Sequence, residues 1–359
     1  MVGNVSTTRT IEIMNRKISS GSDCFIIAEV GVNHNGDMQL ARELVRAAAS
    51  TGADAVKFQT FKSEYLVSKA APKAEYQKKT SAADESQYEM LRRLELSEEA
   101  HHELKELCRE NGIIFLSTPF DDASVELLAR LDVTAFKLSS GEVTNLPFLK
   151  NVASHGKPVI LSTGMAYLDE VRAAVDAIKA TGNDQLILLH CVSNYPADPA
   201  DANLKAIQSL AEHFSLPVGF SDHTPGIVVA PAAVALGACV IEKHLTLSCD
   251  LPGPDHRASL EPGDFKAMVQ AIRTVESALG DGVKRPVQAE LVNIPIGRKS
   301  LHWSKSLRSG SFVRPEDLSA LRPGNGISPA ELESLLNKRL ARDVSQGEMV
   351  CRDDFECLV

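Results

Sequence analysis

Aromatic side chains are scarce: Phe, Tyr and Trp make up 5% of the 359 residues, with a single Trp. So little π surface argues against the stacking platforms that hold single-stranded nucleic acid. Positive charge is also in deficit, with 38 Lys and Arg against 47 Asp and Glu, a net charge of −9. Such a surface disfavours nonspecific binding to nucleic acid but leaves room for a local basic pocket that holds an anion. No apolar run reaches membrane-spanning length, and the first twenty residues hold no apolar stretch of signal-peptide size. No membrane association is expected, and the chain reads as cytoplasmic. The seven cysteines, at 24, 108, 191, 239, 249, 351 and 357, are odd in number and form no C-x-x-C. Neither a disulfide framework nor a zinc knuckle is expected, and the thiols in apolar runs read as small buried hydrophobes. G-x-G-x-x-G and Walker-type runs are missing too, so neither a dinucleotide nor ATP has support.

What is present is a repeat of short apolar runs that end in polar residues or glycine. These are FIIAEVG from Phe25, AVKFQT from Ala55, IIFLSTP from Ile113, AFKLSSG from Ala135, PVILSTG from Pro158, LILLHCV from Leu186, PVGFSDH from Pro217 and VIEKHLT from Val240. Near-continuous apolar strands suit a parallel sheet covered on both faces. Between them lie stretches with helical apolar spacing, such as MQLARELVRAAAST and YLDEVRAAVDAIKAT, with Asp37 and Asp121 placed as N-caps. Eight strand–helix units over about 250 residues fit an α/β fold of the (β/α)₈ TIM-barrel type; the structural rival is a doubly wound open sheet.

Two connections are longer than a simple turn requires: residues 61–95, rich in Lys, Glu, Gln and Ser, and LSCDLPGPDHRASLEPGD after the eighth strand. Loops of this size at the C-terminal end of a strand are often lids or substrate-binding segments. The expected organisation is an N-terminal lead packing on the barrel (1–24), the barrel (25–281), a Pro-containing linker (282–297) and a small C-terminal domain (298–359).

Active sites of such barrels lie at the C-terminal ends of the strands. Those ends supply Glu29, Lys57, Gln59, Ser117, Thr118, Lys137, Ser140, Ser162, Thr163, His190, Ser193, Ser221, Asp222, His223, Glu242 and His244. Lys57 and Gln59, two apart on one strand, share a face. Two lysines, several hydroxyls and the glycine turns at Gly141 and Gly164 make a plausible cradle for a phosphate or carboxylate. His223 and His244 end neighbouring strands. With water and substrate oxygens they could hold a Mn²⁺- or Co²⁺-type ion, or they could be hydrogen-bonding histidines with no ion. His101, His102, His155 and His213 fall in helical stretches, and His190 and His256 are left open.

The ordered motifs IIAEVGVNHNGD, AVKFQTF, FLSTPFD, KLSSGE, ILSTGM, HCVSNYP, GFSDHT, LGACVIEKH, PGPDH and RPGNGIS resemble those of sialic acid synthases. The resemblance runs from about Cys24 to the C-terminus, and its last sixty or so residues look like the antifreeze-like SAF domain of that family. It implies condensation of phosphoenolpyruvate with the open-chain aldehyde of an N-acetylmannosamine-type sugar, with release of phosphate by C–O cleavage. Carried over residue by residue, it implies His223 and His244 as ligands of a divalent metal, Mn²⁺ with Co²⁺ or Mg²⁺ as alternatives. Glu29 matches the acid/base carboxylate, with Lys57 as its cationic partner. Lys57, Thr118, Lys137, Ser140, Ser162, Ser193 and Ser221 match positions that hold phosphoenolpyruvate. Gln59, Tyr195, Asp255 and Arg322 match sugar-binding positions, Arg322 reaching in from the other subunit of a domain-swapped homodimer. KTSAADESQYEM and GEVTNLP look more like legionaminic than N-acetylneuraminate synthases. The leading expectation is therefore 2,4-diacetamido-2,4,6-trideoxymannose converted to N,N'-diacetyllegionaminate, with N-acetylmannosamine to N-acetylneuraminate as the alternative. A metal-dependent hydrolase and a non-catalytic sugar-binding protein remain more distant readings.

Overall fold

The structure, a computed structural model, describes residues 9–69, 71–73 and 85–356. The chain divides into two compact units, Met1–Gly280 and Asp281–Val359.

In the first unit a hairpin of β1 (Ile11–Ile13) and β2 (Arg16–Ile18) precedes eight parallel strands. These are β3 (Phe25–Gly31), β4 (Ala55–Thr60), β5 (Ile114–Pro119), β6 (Phe136–Leu138), β7 (Val159–Ser162), β8 (Leu186–Cys191), β9 (Val218–Asp222) and β10 (Val240–His244). They are ordered β5-β4-β3-β10-β9-β8-β7-β6, and β5 and β6 lie side by side without a regular ladder, so the barrel is nearly closed. The TIM-type reading holds and the doubly wound sheet does not: β3 pairs with both β4 and β10, joining the first strand of the series to the last.

The strands are apolar on both faces because both faces are covered. Ile26, Ala28, Val56 and Phe58 point outward into the layer of helices. Phe25, Ile27, Ala55, Leu116, Ile160, Ile187 and Leu189 fill the barrel, where Ile11, Ile13 and Ile18 of the hairpin join them. Strand parity then fixes the site: continuing Phe25 and Ile27 by two residues brings Glu29 onto the interior face, and continuing Ala55 brings Lys57.

Helix starts follow the capping residues. Asp37 accepts from Gln39 N at 2.7 Å to open Met38–Thr51, and Asp121 accepts from Ser124 N at 2.8 Å to open Asp122–Arg130. Ala41, Leu44, Val45 and Ala48 form the buried stripe of the first helix, at the i, i+3, i+4, i+7 spacing of one helical face. Of the thiols, Cys24, Cys108, Cys191 and Cys239 are buried, Cys249 is half-buried and Cys351 exposed; Cys357 lies outside the described residues.

The second unit pairs β11 (Ser300–Trp303) with β12 (Leu318–Leu321) in antiparallel register. Leu301, Trp303, Val313, Leu335, Leu340 and Val350 form its own core, and Trp303 Nε1 donates to buried Asp354 Oδ2 at 3.1 Å.

Candidate active site

The C-terminal ends of the barrel strands surround a cavity of about 430 Å³. Its floor is a cluster of buried charges. Lys57 Nζ lies 2.6 Å from Glu29 Oε2 and 3.8 Å from Glu242 Oε2, and donates to Thr118 Oγ1 at 3.0 Å. Lys137 Nζ donates to Ser162 Oγ at 2.7 Å and lies 3.5 Å from Glu242 Oε1. Two lysines thus share two carboxylates, with Glu242 between them. Four charges this deep persist only as a mutually compensating set.

Their titration differs because their neighbours differ. Burial lifts Glu29 to about 7, against the pull of Lys57. Burial presses Glu242 upward as well, but Lys137 and Lys57 outweigh it and hold that carboxyl below its ordinary value. Burial lowers Lys137, which the carboxylates only partly offset. Asp255, buried in the same wall, is lifted by burial to about 6. A carboxyl lifted to near 7 beside one held ionised provides a proton carrier and a fixed negative charge within one pocket.

Two glycines allow the close approaches. At the end of β3, Gly31 has φ +56, and a Cβ there would meet Glu29 Oε1 at 3.0 Å and Gln59 Nε2 at 3.2 Å. A Cβ on Gly164 would strike Ser193 Oγ at 2.4 Å and Cys191 Sγ at 2.8 Å. The Gly164 N–H donates to Ser140 Oγ at 2.9 Å, so backbone and hydroxyls crowd one corner of the cavity, next to Lys137 and Ser162. That corner has the polarity an oxyanion requires.

Beside β3, at the ends of β9 and β10, His223 and His244 face one another with ring centroids 5.7 Å apart. His223 Nδ1 meets Val192 O at 2.6 Å, which makes it the donor and leaves the Nε2 lone pair beside Ser221 Oγ at 3.3 Å. His244 Nδ1 is buried with no hydrogen-bond partner. Burial lowers both imidazoles, His244 well below its ordinary value, so both are neutral, the form that ligates metal. An orphaned imidazole nitrogen and a second imidazole oriented by a carbonyl fit a divalent cation bound by two protein ligands, its other positions open to water and substrate. Among the described residues no group of three or more His, Cys, Asp or Glu forms a metal cage, so a closed structural site is not present there. The Tyr195 ring lies tilted against that of His223, with centroids 4.2 Å apart.

All the residues singled out from sequence as catalytic, anion-binding, sugar-binding or metal-binding line this cavity, except Arg322. Arg322 belongs to the second unit, exposed, with its Nε donating to Gly297 O at 3.0 Å. Several strand-end groups point elsewhere. Ser117 bonds Thr60, His190 bonds Ala202 O, and Asp222 pairs with Lys243 in the outer layer. His256 is occupied by Thr246. Glu242, noted in the sequence only as a strand-end polar residue, is the bridge between the two lysines. Its signal was position: it shares the inward parity of His244.

Comparison with known proteins agrees with this geometry. Residues 44–284 match the NeuB family and residues 298–356 match the SAF domain. The chain belongs to the NeuB family. It is 51% identical over 352 residues to the N,N'-diacetyllegionaminic acid synthase of Legionella pneumophila, covering 95% of this chain and 99% of that protein. It is 49% identical to the enzyme of the same name from Campylobacter jejuni, covering 90% of this chain and 98% of that one. Among solved structures, the N-acetylneuraminic acid synthetase of Leptospira borgpetersenii, in complex with citrate, superposes with TM-score 0.71 at 34% identity, over 80% of this chain and 96% of that one. The resemblance to sialic acid synthases read from the ordered motifs is therefore borne out, as is the SAF assignment. No helix among the described residues is long and apolar enough to cross a membrane.

Proposed function

We propose that this NeuB-family chain joins phosphoenolpyruvate to the open-chain aldehyde of an amino sugar, with 2,4-diacetamido-2,4,6-trideoxymannose as substrate and N,N'-diacetyllegionaminate as product. The observation that carries the reading is the single cavity in which an anion corner, a neutral histidine pair and a carboxyl of raised pKa converge. The choice of sugar follows the two legionaminic acid synthases that share about half the residues along nearly the whole chain. The likeness to the Leptospira synthetase favours N-acetylmannosamine as the second reading.

Lys57, Lys137, Thr118, Ser140, Ser162, Ser193 and Ser221 hold the phosphate and carboxylate of phosphoenolpyruvate. Gln59, Tyr195 and Asp255 orient the sugar. His223 and His244 hold a divalent cation, Mn²⁺ with Co²⁺ or Mg²⁺ as alternatives, which supplies Lewis acidity toward the aldehyde oxygen. C3 of phosphoenolpyruvate bonds to the aldehyde carbon, whose oxygen takes the proton carried by the Glu29 carboxyl. Water adds at C2, and the Glu29 carboxylate takes its proton. The C2–O bond to phosphate then breaks, the proton of the new C2 hydroxyl leaves with the phosphate, and the 2-keto acid remains. Lys57 holds the Glu29 carboxylate toward that water and balances the charge as it titrates.

The chain divides functionally as 1–24, 25–281, 282–297 and 298–359. It acts in the cytoplasm as a homodimer that exchanges the last domain, so that Arg322 of one protomer reaches the sugar of the other. The test is phosphate release by the purified protein. With Mn²⁺, release requires both substrates and stops when the metal is chelated. Glu29→Gln and His223→Ala each lower kcat by at least about a hundredfold while circular dichroism shows the barrel still folded at the assay temperature. Release without sugar, or full activity in either variant, contradicts the assignment.

A further inference from the structure

The anion corner and histidine pair leave one side of the cavity unexplained. That side is apolar: Leu66, Val67, Met90, Leu91, Leu94 and Phe120 all line it. They belong to one cluster, separate from both barrel cores and from the core of the second unit. The wall is built from chain leaving β4 and β5, next to Gln59, whereas Lys137, Ser140, Ser162 and Ser193 come from β6 to β8. Above the charged floor, the cavity wall is thus polar toward β6 to β8 and apolar where the chain leaves β4 and β5.

The wall is anchored. Phe120 packs edge-on against Phe61, with centroids 6.2 Å apart at 82°. Ser63 N donates to Glu95 Oε1 at 2.8 Å, tying together the two ends of the long 61–95 connection. Helix Gln87–Arg92, which carries Met90 and Leu91, is fixed by reciprocal capping: Glu89 N donates to Ser86 Oγ at 3.2 Å, and Ser86 N to Glu89 Oε2 at 2.9 Å. Residue 70 and residues 74–84 of this connection lie outside the described residues.

We propose that these six side chains are the specificity surface for the sugar, seating the end remote from the aldehyde and selecting methyl-bearing substituents over hydroxyls. The inference rests on the synthase reading above. A hydroxyl pressed against this wall loses its water and gains no partner from any of the six side chains. A deoxy methyl or the methyl of an acetamido group loses nothing polar and buries apolar area. An apolar pocket of this kind separates such substrates by about tenfold to a hundredfold per group.

The test compares kcat/KM with Mn²⁺ and saturating phosphoenolpyruvate for three aldehydes: 2,4-diacetamido-2,4,6-trideoxymannose, N-acetylmannosamine and 6-deoxy-N-acetylmannosamine. Wild type favours the first most, and removing the 6-hydroxyl from N-acetylmannosamine raises kcat/KM about tenfold. Half-buried Val67 and Leu66 are replaced by near-isosteric polar residues, Val67→Thr and Leu66→Asn. Each lowers the preference for the deoxy sugars about tenfold and leaves KM for phosphoenolpyruvate unchanged. Equal loss on all three sugars, an unchanged preference, or a wild type indifferent to the 6-hydroxyl overturns the proposal, and the last arm needs no variant. Product from no aldehyde at all overturns the synthase reading and this one with it. Product from every aldehyde without discrimination overturns this one alone.

Discussion

Lys243 and Asp222 carry opposite charges where almost no solvent reaches, at 1% and 0% exposure, directly before His244 and directly before His223. The ammonium donates to Asp222 Oδ2 at 2.8 Å, and Asp222 Oδ1 accepts from Thr224 N at 2.9 Å. The pair clamps the ends of β9 and β10 from outside and so holds the histidine pair in register. Lys243→Met leaves a buried carboxylate unpaired and costs about 3–5 kcal/mol in urea unfolding. Adding Asp222→Asn returns part of that loss, a coupling that a double-mutant cycle reads directly. If Lys243→Met unfolds like wild type, the clamp has no energetic meaning. At this scale most of the site was legible because the residue types were diagnostic and strand parity aimed them. Lys57 and Gln59 two apart, and histidines ending neighbouring strands, needed no coordinates. Glu242 was harder, since its importance lies in the two lysines it bridges, and those come from β4 and β6, far apart in sequence. The apolar wall was illegible for the same reason: Leu66 and Leu94 meet only after the long connection closes on itself.

Single elements carry their own balance of costs. The turn after β3 buries His34 completely, with Nδ1 accepting from Gly36 N at 3.0 Å and Nε2 finding no partner. Burial, with His101 and His256 nearby, lowers this imidazole from about 6.5 to about 4. The unfolded chain therefore takes up a proton below about pH 6.5 that the folded turn refuses until about pH 4, and stability falls with acid across that window. Between pH 7.5 and pH 5 the share due to His34 is about 2 kcal/mol. His34→Gln should shrink the difference between urea unfolding free energies at those two pH values by that amount; an unchanged difference would show the imidazole is not held neutral. The strands themselves were readable to within a residue or two where they are long. β3 and β4 end as the apolar runs do, whereas β6 stops at Leu138 because the chain turns at once into a short 3₁₀ segment, Ser140–Glu142, whose first residue faces the cavity. The β1–β2 hairpin was only an undifferentiated lead in the sequence. Three-residue strands carry too little periodicity to be seen, and Ile11, Ile13 and Ile18 explain themselves only as a plug for the barrel interior.

Across the whole molecule, the net charge of −9 disfavours nonspecific binding to nucleic acid but does not describe the site. In the cavity Lys57 and Lys137 face Glu29 and Glu242, a set that is neutral while Glu29 is ionised and carries a net positive charge when Glu29 is protonated. An anionic substrate then finds two buried ammonium groups already fixed, with little reorganisation left for the moment of reaction. Closure of eight parallel strands brings together groups spread from Glu29 to Asp255, and it does so at the strand ends where such barrels concentrate their chemistry. The fold class was legible because eight apolar runs at regular spacing have few other solutions. The central claim is that this pocket joins phosphoenolpyruvate to an amino-sugar aldehyde and expels phosphate from C2 by C–O cleavage. The most direct measurement is mass spectrometry of both products, using phosphoenolpyruvate labelled with ¹⁸O at the bridging oxygen and 2,4-diacetamido-2,4,6-trideoxymannose. The account predicts an acid heavier than the sugar by the mass of pyruvic acid, with the label retained in the released phosphate. Unlabelled phosphate, or a sugar recovered unchanged beside free pyruvate, would contradict it.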